Sequence, residues 1–165
     1  MPLNMDGPLS DLAAWTAGDH CSIARALSVV GTRSTMLILR EAFYGTTRFD
    51  DFSRRVGITD ASSAARLKEL VDAGIFVKQP YRPDKGRTRY EYVLTTMGED
   101  LLPVVLGLMQ WGDEYLQDDD GPLNVVDTQG KSVHVRITDD SGSEVPMNEL
   151  RVRIAQHEAV REFDA

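Results

Sequence analysis

Two stretches of this 165-residue chain hold the side chains best suited to chemistry, and both suit a polyanion. The first sets hydroxyls at Thr59, Ser62 and Ser63 beside cations at Arg66 and Lys68. The second places Arg82, Lys85, Arg87 and Arg89 around Pro83, Asp84 and Gly86. Hydroxyls and cations bond phosphate oxygens, arginine pairs with guanine, and an alanine methyl meets a thymine methyl. Alanines stand at 61, 64 and 65 for that last contact. Asp60 repels phosphate and reads instead as part of a helix start. Arg54 and Arg55 either steer a polyanion or simply lie in solvent.

Other chemistry is sparse. Cys21 is the only cysteine, which excludes an internal disulfide and a cysteine-rich zinc site. It stands near an expected helix N-terminus, where the dipole favours thiolate, yet a lone cysteine is as readily a small core residue. His20, His134 and His157 are scattered and give no metal-ligand spacing, so no metal and no cofactor is expected. No phosphate loop, nucleophile elbow or Cys/His pair is present, so no enzyme is expected. Trp111 and its Met/Leu neighbours either line a ligand cavity or pack in a core or dimer contact.

Charge is unevenly placed. The chain holds 18 basic and 26 acidic side chains, a net −8. Residues 48–89 hold ten basic and six acidic groups, whereas residues 90–165 hold five and sixteen. Screening beyond about 10 Å lets the local excess decide what the middle segment binds. The hydrophobic share of 42% fits a folded globular chain. No apolar run approaches the roughly 20 residues that span a bilayer, so no membrane partner is expected. Met1 to Asp19 lacks Lys and Arg, which is wrong for a signal or transit peptide, and the expected compartment is cytoplasmic.

The elements that must position these groups follow from spacing. Residues 1–19 read as an arm with an apolar patch at Leu9, Leu12 and Trp15. Helices are predicted over Ser22–Val30, Arg33–Tyr44, Arg48–Val56 and Asp60–Ala73, with Thr47 and Thr59 as caps. The last two, joined through Gly57, form a helix-turn-helix order. Strands are predicted at Ile75–Val77 and Arg89–Leu94, with the cationic loop between them. One helix is predicted from Thr96, opened by a Thr96/Glu99 capping box, to about Gln117, with Pro103 kinking it or shortening its first turn. Its apolar residues make two stripes, Leu101, Val105, Leu108 and Tyr115, then Leu102, Leu106, Met109 and Leu116. One chain this small cannot cover both, so a second chain is expected there. After Asp118–Pro122, strands are predicted over Leu123–Thr128, Val133–Thr138 and Glu149–Ile154.

Several of these residues together carry a resemblance. They are Cys21 with Ala24 to Leu27; Gly31, Arg33 and Ile38-Leu39-Arg40; Gly45, Arg48-Phe49 and Phe52; Arg66-Leu67, Glu69-Leu70 and Gly74; Tyr90, Tyr92 and Leu94-Thr95; Gly98; and Leu102-Pro103-Val104 with Trp111-Gly112. Over residues 20–116 the chain resembles the HxlR family of bacterial winged-helix transcription regulators, relatives of the MarR group. The resemblance implies a homodimer on an inverted-repeat operator in double-stranded DNA, and a redox-sensing role for Cys21. Early in the second helix, where relatives carry long polar side chains, this chain has Asp60, Ala61, Ala64 and Ala65.

The expected fold class is α+β: a winged helix-turn-helix with a long C-terminal dimerisation helix and a small β appendage. The expected domains are an arm at 1–19, a DNA-binding and dimerisation domain at 20–117, and a β-rich extension at 118–165. DNA contact is expected from Thr59, Ser62, Ser63, Arg66, Lys68, Arg82, Lys85, Arg87 and Arg89. Dimerisation is expected through Leu101, Leu102, Val105, Leu108, Met109 and Trp111. The effector, small molecule or oxidant, is left open. A winged-helix protein-interaction module without DNA binding is the alternative, with a small hydrolase or transferase behind it.

Overall fold

Helical spacing of apolar residues and glycine stops set the order of elements. In the computed structural model, which describes residues 3–11, 13, 21–82, 87–118 and 121–154, four helices come first. These are α1 (Ser22–Val30), α2 (Arg33–Phe43), α3 (Phe49–Val56) and α4 (Asp60–Asp72). A two-stranded antiparallel hairpin follows, β2 (Phe76–Tyr81) against β3 (Arg89–Leu94), with Phe76 opposite Leu94 and Tyr81 opposite Arg89. Then come α5 (Thr96–Glu99) and α6 (Leu102–Leu116). The short strands β1 (Asn4–Met5) and β4 (Arg151–Val152) pair in parallel. The described residues form two units, Ser22–Val135 and the two chain ends that meet through β1 and β4. The first unit has the winged helix-turn-helix fold.

Its core is built where α2, α3, α4 and the hairpin converge. Ile38, Leu39, Phe52, Leu67, Leu70, Ile75 and Phe76 are buried there. Phe52 of α3, Phe76 of β2 and Tyr92 of β3 meet edge-on, with centroids 6.0, 6.4 and 6.5 Å apart. The turn between α3 and α4 passes through Gly57 at φ 71°, a left-handed conformation that glycine adopts without strain. The hairpin is also joined to the start of α3. Tyr92 N–H donates to the Thr47 carbonyl at 2.7 Å, and Arg48 forms a single bridge with Glu91.

Three local expectations are corrected. The helix expected over 96–117 is two helices broken at Asp100 and Leu101, because Pro103 has no N–H to donate and instead occupies the first turn of α6. Thr95, rather than Thr96, caps α5: its hydroxyl accepts from Gly98 N–H at 3.2 Å and donates to the Gly74 carbonyl at 2.6 Å. Gly98 is required there, since a Cβ on it would lie 2.4 Å from the Ile75 carbonyl oxygen. Thr47 does not cap α3; its hydroxyl donates to Glu91.

The three strands expected beyond residue 122 are also corrected. Leu123–Thr128 and Val133–Thr138 carry only single bridges, Val126 to Ser132 and Thr138 to Glu144, and only Arg151–Val152 is strand. Two aspartates explain this. Asp127 Oδ1 accepts from Gln129 and Lys131 N–H, and Asp139 Oδ1 accepts from Ser141 and Ser143 N–H. Each carboxylate closes a tight loop in place of a ladder. The Ser141 hydroxyl, then the backbone N–H groups, hold the Asp139 carboxyl below the usual carboxylate range.

Among the described residues of the first unit, one charge is buried. Glu41 of α2 bonds Arg40 at 2.6 Å and Arg55 of α3, and its side chain is 4% exposed. Burial alone would raise its pKa, but the hydrogen bonds from Arg55 and Arg40 outweigh that and lower it. The lowered folded value means this stabilisation is complete above the ordinary glutamate range and fades as pH falls through and below it. Glu41→Gln is therefore expected to lose about 1.5–3 kcal/mol in urea unfolding at pH 7, the range for hydrogen bonds to charged groups. The difference from the unsubstituted chain should shrink towards zero in strong acid; a difference unchanged with pH would contradict the assignment.

Candidate nucleic-acid interface

The second helix of the helix-turn-helix begins at a built cap. Thr59 Oγ1 accepts from Ser62 N–H at 3.2 Å and donates to Ser62 Oγ at 3.0 Å. The Ser62 hydroxyl proton is thereby left for an outside acceptor. Asp60, Ala61, Ser62, Ala64, Ala65, Lys68 and Glu69 are exposed along α4, so its outward side is small and smooth through its first turn and a half. A helix with so little side-chain bulk can approach a groove floor closely.

Ser63 is a correction. It is 0% exposed and its hydroxyl has no hydrogen-bond partner among the described residues, as is also true of Ser53 on α3. The spacing explains this: Ser63 lies four residues before Leu67 and seven before Leu70, on the buried stripe of α4. It cannot reach a base. Small buried side chains at 53 and 63 let α3 and α4 pack closely.

The cations divide into engaged and outward groups. Arg66 is half-buried and bonds Glu69 at 2.6 Å; Lys68 bonds Asp72, which raises the lysine pKa. Arg54 bonds Asp51, and Arg55 is held by buried Glu41, so Arg55 serves the joint between α2 and α3. Arg82 and Arg87 are exposed on the two sides of the hairpin tip, while Lys85 lies outside the described residues. Arg89 is exposed 3.7 Å from Asp50. Exposed pairs such as Lys68–Asp72 contribute little to stability and are readily exchanged for a phosphate.

Sequence reasoning missed two cations set against tyrosine rings of this hairpin. The Arg48 guanidinium lies 4.9 Å from the centroid of the Tyr81 ring, and Lys78 Nζ lies 5.4 Å from that of Tyr92. Arg48, Arg89, Tyr81, Tyr90 and Asp50 surround a polar recess of about 350 Å³. The signal is present as tyrosines at 81, 90 and 92 interleaved with cations at 78, 82, 87 and 89.

The remaining expected residues fall elsewhere. Cys21 is half-buried and directly precedes α1. Leu12, Trp15, His20 and His157 lie outside the described residues. On α6, Leu101 and Val105 pack against the chain's own core, and Met109 is half-buried beside α2. Leu102, Val104, Leu108, Trp111 and Tyr115 are exposed, as are Ile23 and Leu27 of α1. Among the described residues there is no group of three or more potential metal ligands, and no helix is long and apolar enough to cross a membrane.

Known proteins match this arrangement. The HxlR-like helix-turn-helix family pattern matches residues 29–120. The chain is 46% identical over 114 residues to Rv3095 of Mycobacterium tuberculosis, an uncharacterized HTH-type transcriptional regulator, covering 69% of this chain and 70% of that one. Its fold is similar to that of PA1607, a proposed transcription factor, with a TM-score of 0.72, 32% identity, and 86% and 98% of the two chains covered. It is also similar to the reduced redox regulator HypR, with a TM-score of 0.52, 28% identity, and 58% and 93% covered.

The placement of the two serines is testable. Ser63→Ala is expected to leave DNA affinity unchanged and to raise stability by up to about 1 kcal/mol, since it removes an unsatisfied buried hydroxyl. Ser62→Ala is expected to lower DNA affinity while unfolding at nearly the same urea concentration. The reverse pattern would contradict the burial assigned to Ser63.

Proposed function

This chain belongs to the HxlR-like helix-turn-helix family, and from that premise we propose that it is a sequence-specific, DNA-binding transcription regulator rather than an enzyme. It acts in the cytoplasm as a homodimer on an inverted repeat in double-stranded DNA. One observation carries the reading. A smooth, hydroxyl-bearing helix α4 and a cation-edged hairpin share one core, in which Leu67 and Leu70 of α4 join the Phe52, Phe76 and Tyr92 rings. That combination serves both kinds of DNA contact in each half-site: a helix for the major groove and a second element for the flanking backbone.

Roles follow residue by residue. Ser62 and Thr59 reach phosphate or a base edge, the alanines at 61, 64 and 65 take thymine methyls, and Arg66 and Lys68 leave their acidic neighbours for the DNA. Arg82, Lys85, Arg87 and Arg89, with Arg48 and Lys78, meet phosphates. The segment 20–117 carries both DNA binding and dimerisation, with 1–19 and 118–165 outside that task. The dimer contact uses the exposed stripe Val104, Leu108, Trp111 and Tyr115 together with Leu102, in place of Leu101 and Val105. Cys21 is the candidate redox-sensing residue, and as the only cysteine it oxidises onto a second chain or a small thiol.

The testing experiment is a salt titration of binding to the protein's own promoter fragment, run beside a random duplex. The double variant Arg82→Ala, Arg87→Ala is expected to weaken both complexes alike. It should also flatten the dependence of log affinity on log salt by about one unit for each phosphate that is no longer neutralised. Equal, weak binding to both duplexes, unmoved by the substitutions, would favour the protein-interaction module instead.

A further inference from the structure

The spacing of α2 puts Arg33, Met36, Leu37, Arg40 and Tyr44 on one stripe, with a cation near each end. That stripe faces Leu106 and Met109 of α6 across a cavity of about 490 Å³, inside the range of small-molecule sites. Val125, from the segment after α6, forms part of its wall. That segment is held to α6 by Gln110, whose side chain donates to the Val133 carbonyl at 2.8 Å and accepts from Val135 N–H at 3.0 Å. Two of the lining residues touch each other, the Tyr44 hydroxyl approaching the Met109 sulfur at 3.8 Å.

The lining chemistry is selective. Apart from the two arginines and the Tyr44 hydroxyl the wall is apolar, and no carboxylate lines it among the described residues. Arg40 already bonds Glu41 through Nε and one terminal nitrogen, whereas Arg33 has no ion partner among the described residues. An exposed, uncommitted guanidinium at the mouth of an apolar cavity matches one carboxylate on an apolar body. Of the exposed α6 residues assigned to a second copy, Val104, Trp111 and Tyr115 lie outside this lining, whereas Leu102 and Leu108 form part of it.

We propose that the cavity between α2 and α6 binds a hydrophobic monocarboxylate, its carboxylate on Arg33 and its apolar body against Leu37, Leu106 and Met109. The site goes beyond the DNA-binding reading and stands without it. Arg40 joins it to the Glu41–Arg55 contact, so cavity and α3 share one chain of bonded side chains.

Isothermal titration calorimetry on the full chain tests this without DNA, so its failure is separable from failure of the regulator reading. The probe is octanoate, with octanol as the uncharged control. One saturable site per chain is expected, with octanol at least tenfold weaker. Arg33→Gln, at an exposed helix start, is expected to fold normally and to weaken octanoate about tenfold, the scale of one charge-assisted contact. No saturable binding, equal affinity for octanol, or an unaffected Arg33→Gln variant would each overturn the proposal. Octanoate binding that emerges only when dilution dissociates an oligomer would also overturn it, because a second copy then fills the cavity.

Discussion

Three rings meeting edge to edge hold this molecule's working parts in register. Phe52 comes from the first helix of the helix-turn-helix, and Phe76 and Tyr92 from the two strands of the hairpin. Each ring pair in this geometry contributes about 0.5–1.5 kcal/mol beyond the burial of its area. The larger consequence is positional. A groove-reading helix and a backbone-touching hairpin act together only if the angle between them is fixed, and here Leu67 and Leu70 of α4 join the three rings in one buried cluster. The Thr47–Tyr92 and Arg48–Glu91 backbone contacts extend that joint to the start of α3.

Around this cluster, polar groups are used as connectors. Buried Glu41 takes one arginine from its own helix and one from α3, and Thr95 ties α5 to the end of α4. Ser53 and Ser63 are different: they gain close packing of α3 on α4 and leave two hydroxyls without a hydrogen-bond partner among the described residues. The net −8 charge is compatible with DNA because acidic groups crowd residues 90–165, away in sequence from the cationic hairpin.

Much of this architecture is legible in the sequence, because glycine stops and apolar spacing state it directly. The bounds of α1 and β3 match their expected ranges, and those of α2, α3 and α4 differ by one residue. Where sequence and structure part, the cause is shared: residue type alone does not state a place in the helical period. Ser63 has the type of a DNA contact, like its neighbours, yet its distance from Leu67 and Leu70 places it inward. Pro103 has the type of a kink within one helix, but its missing donor fits the start of a new one. In residues 123–145, alternating apolar residues suggest ladders, but Asp127 and Asp139 capture the backbone donors that a ladder needs. The cavity between α2 and α6 is not legible, since it depends on how two helices far apart in sequence face each other.

The central claim is that paired copies of α4 enter successive major grooves. Hydroxyl-radical footprinting of the protein on its own promoter tests this most directly. Two protected patches related by two-fold symmetry are predicted, their centres about 34–36 Å apart or a multiple of that along the helix axis, with flanking protection from the hairpins. A uniform, unpatterned protection, or none at protein concentrations that shield no other duplex, would contradict it.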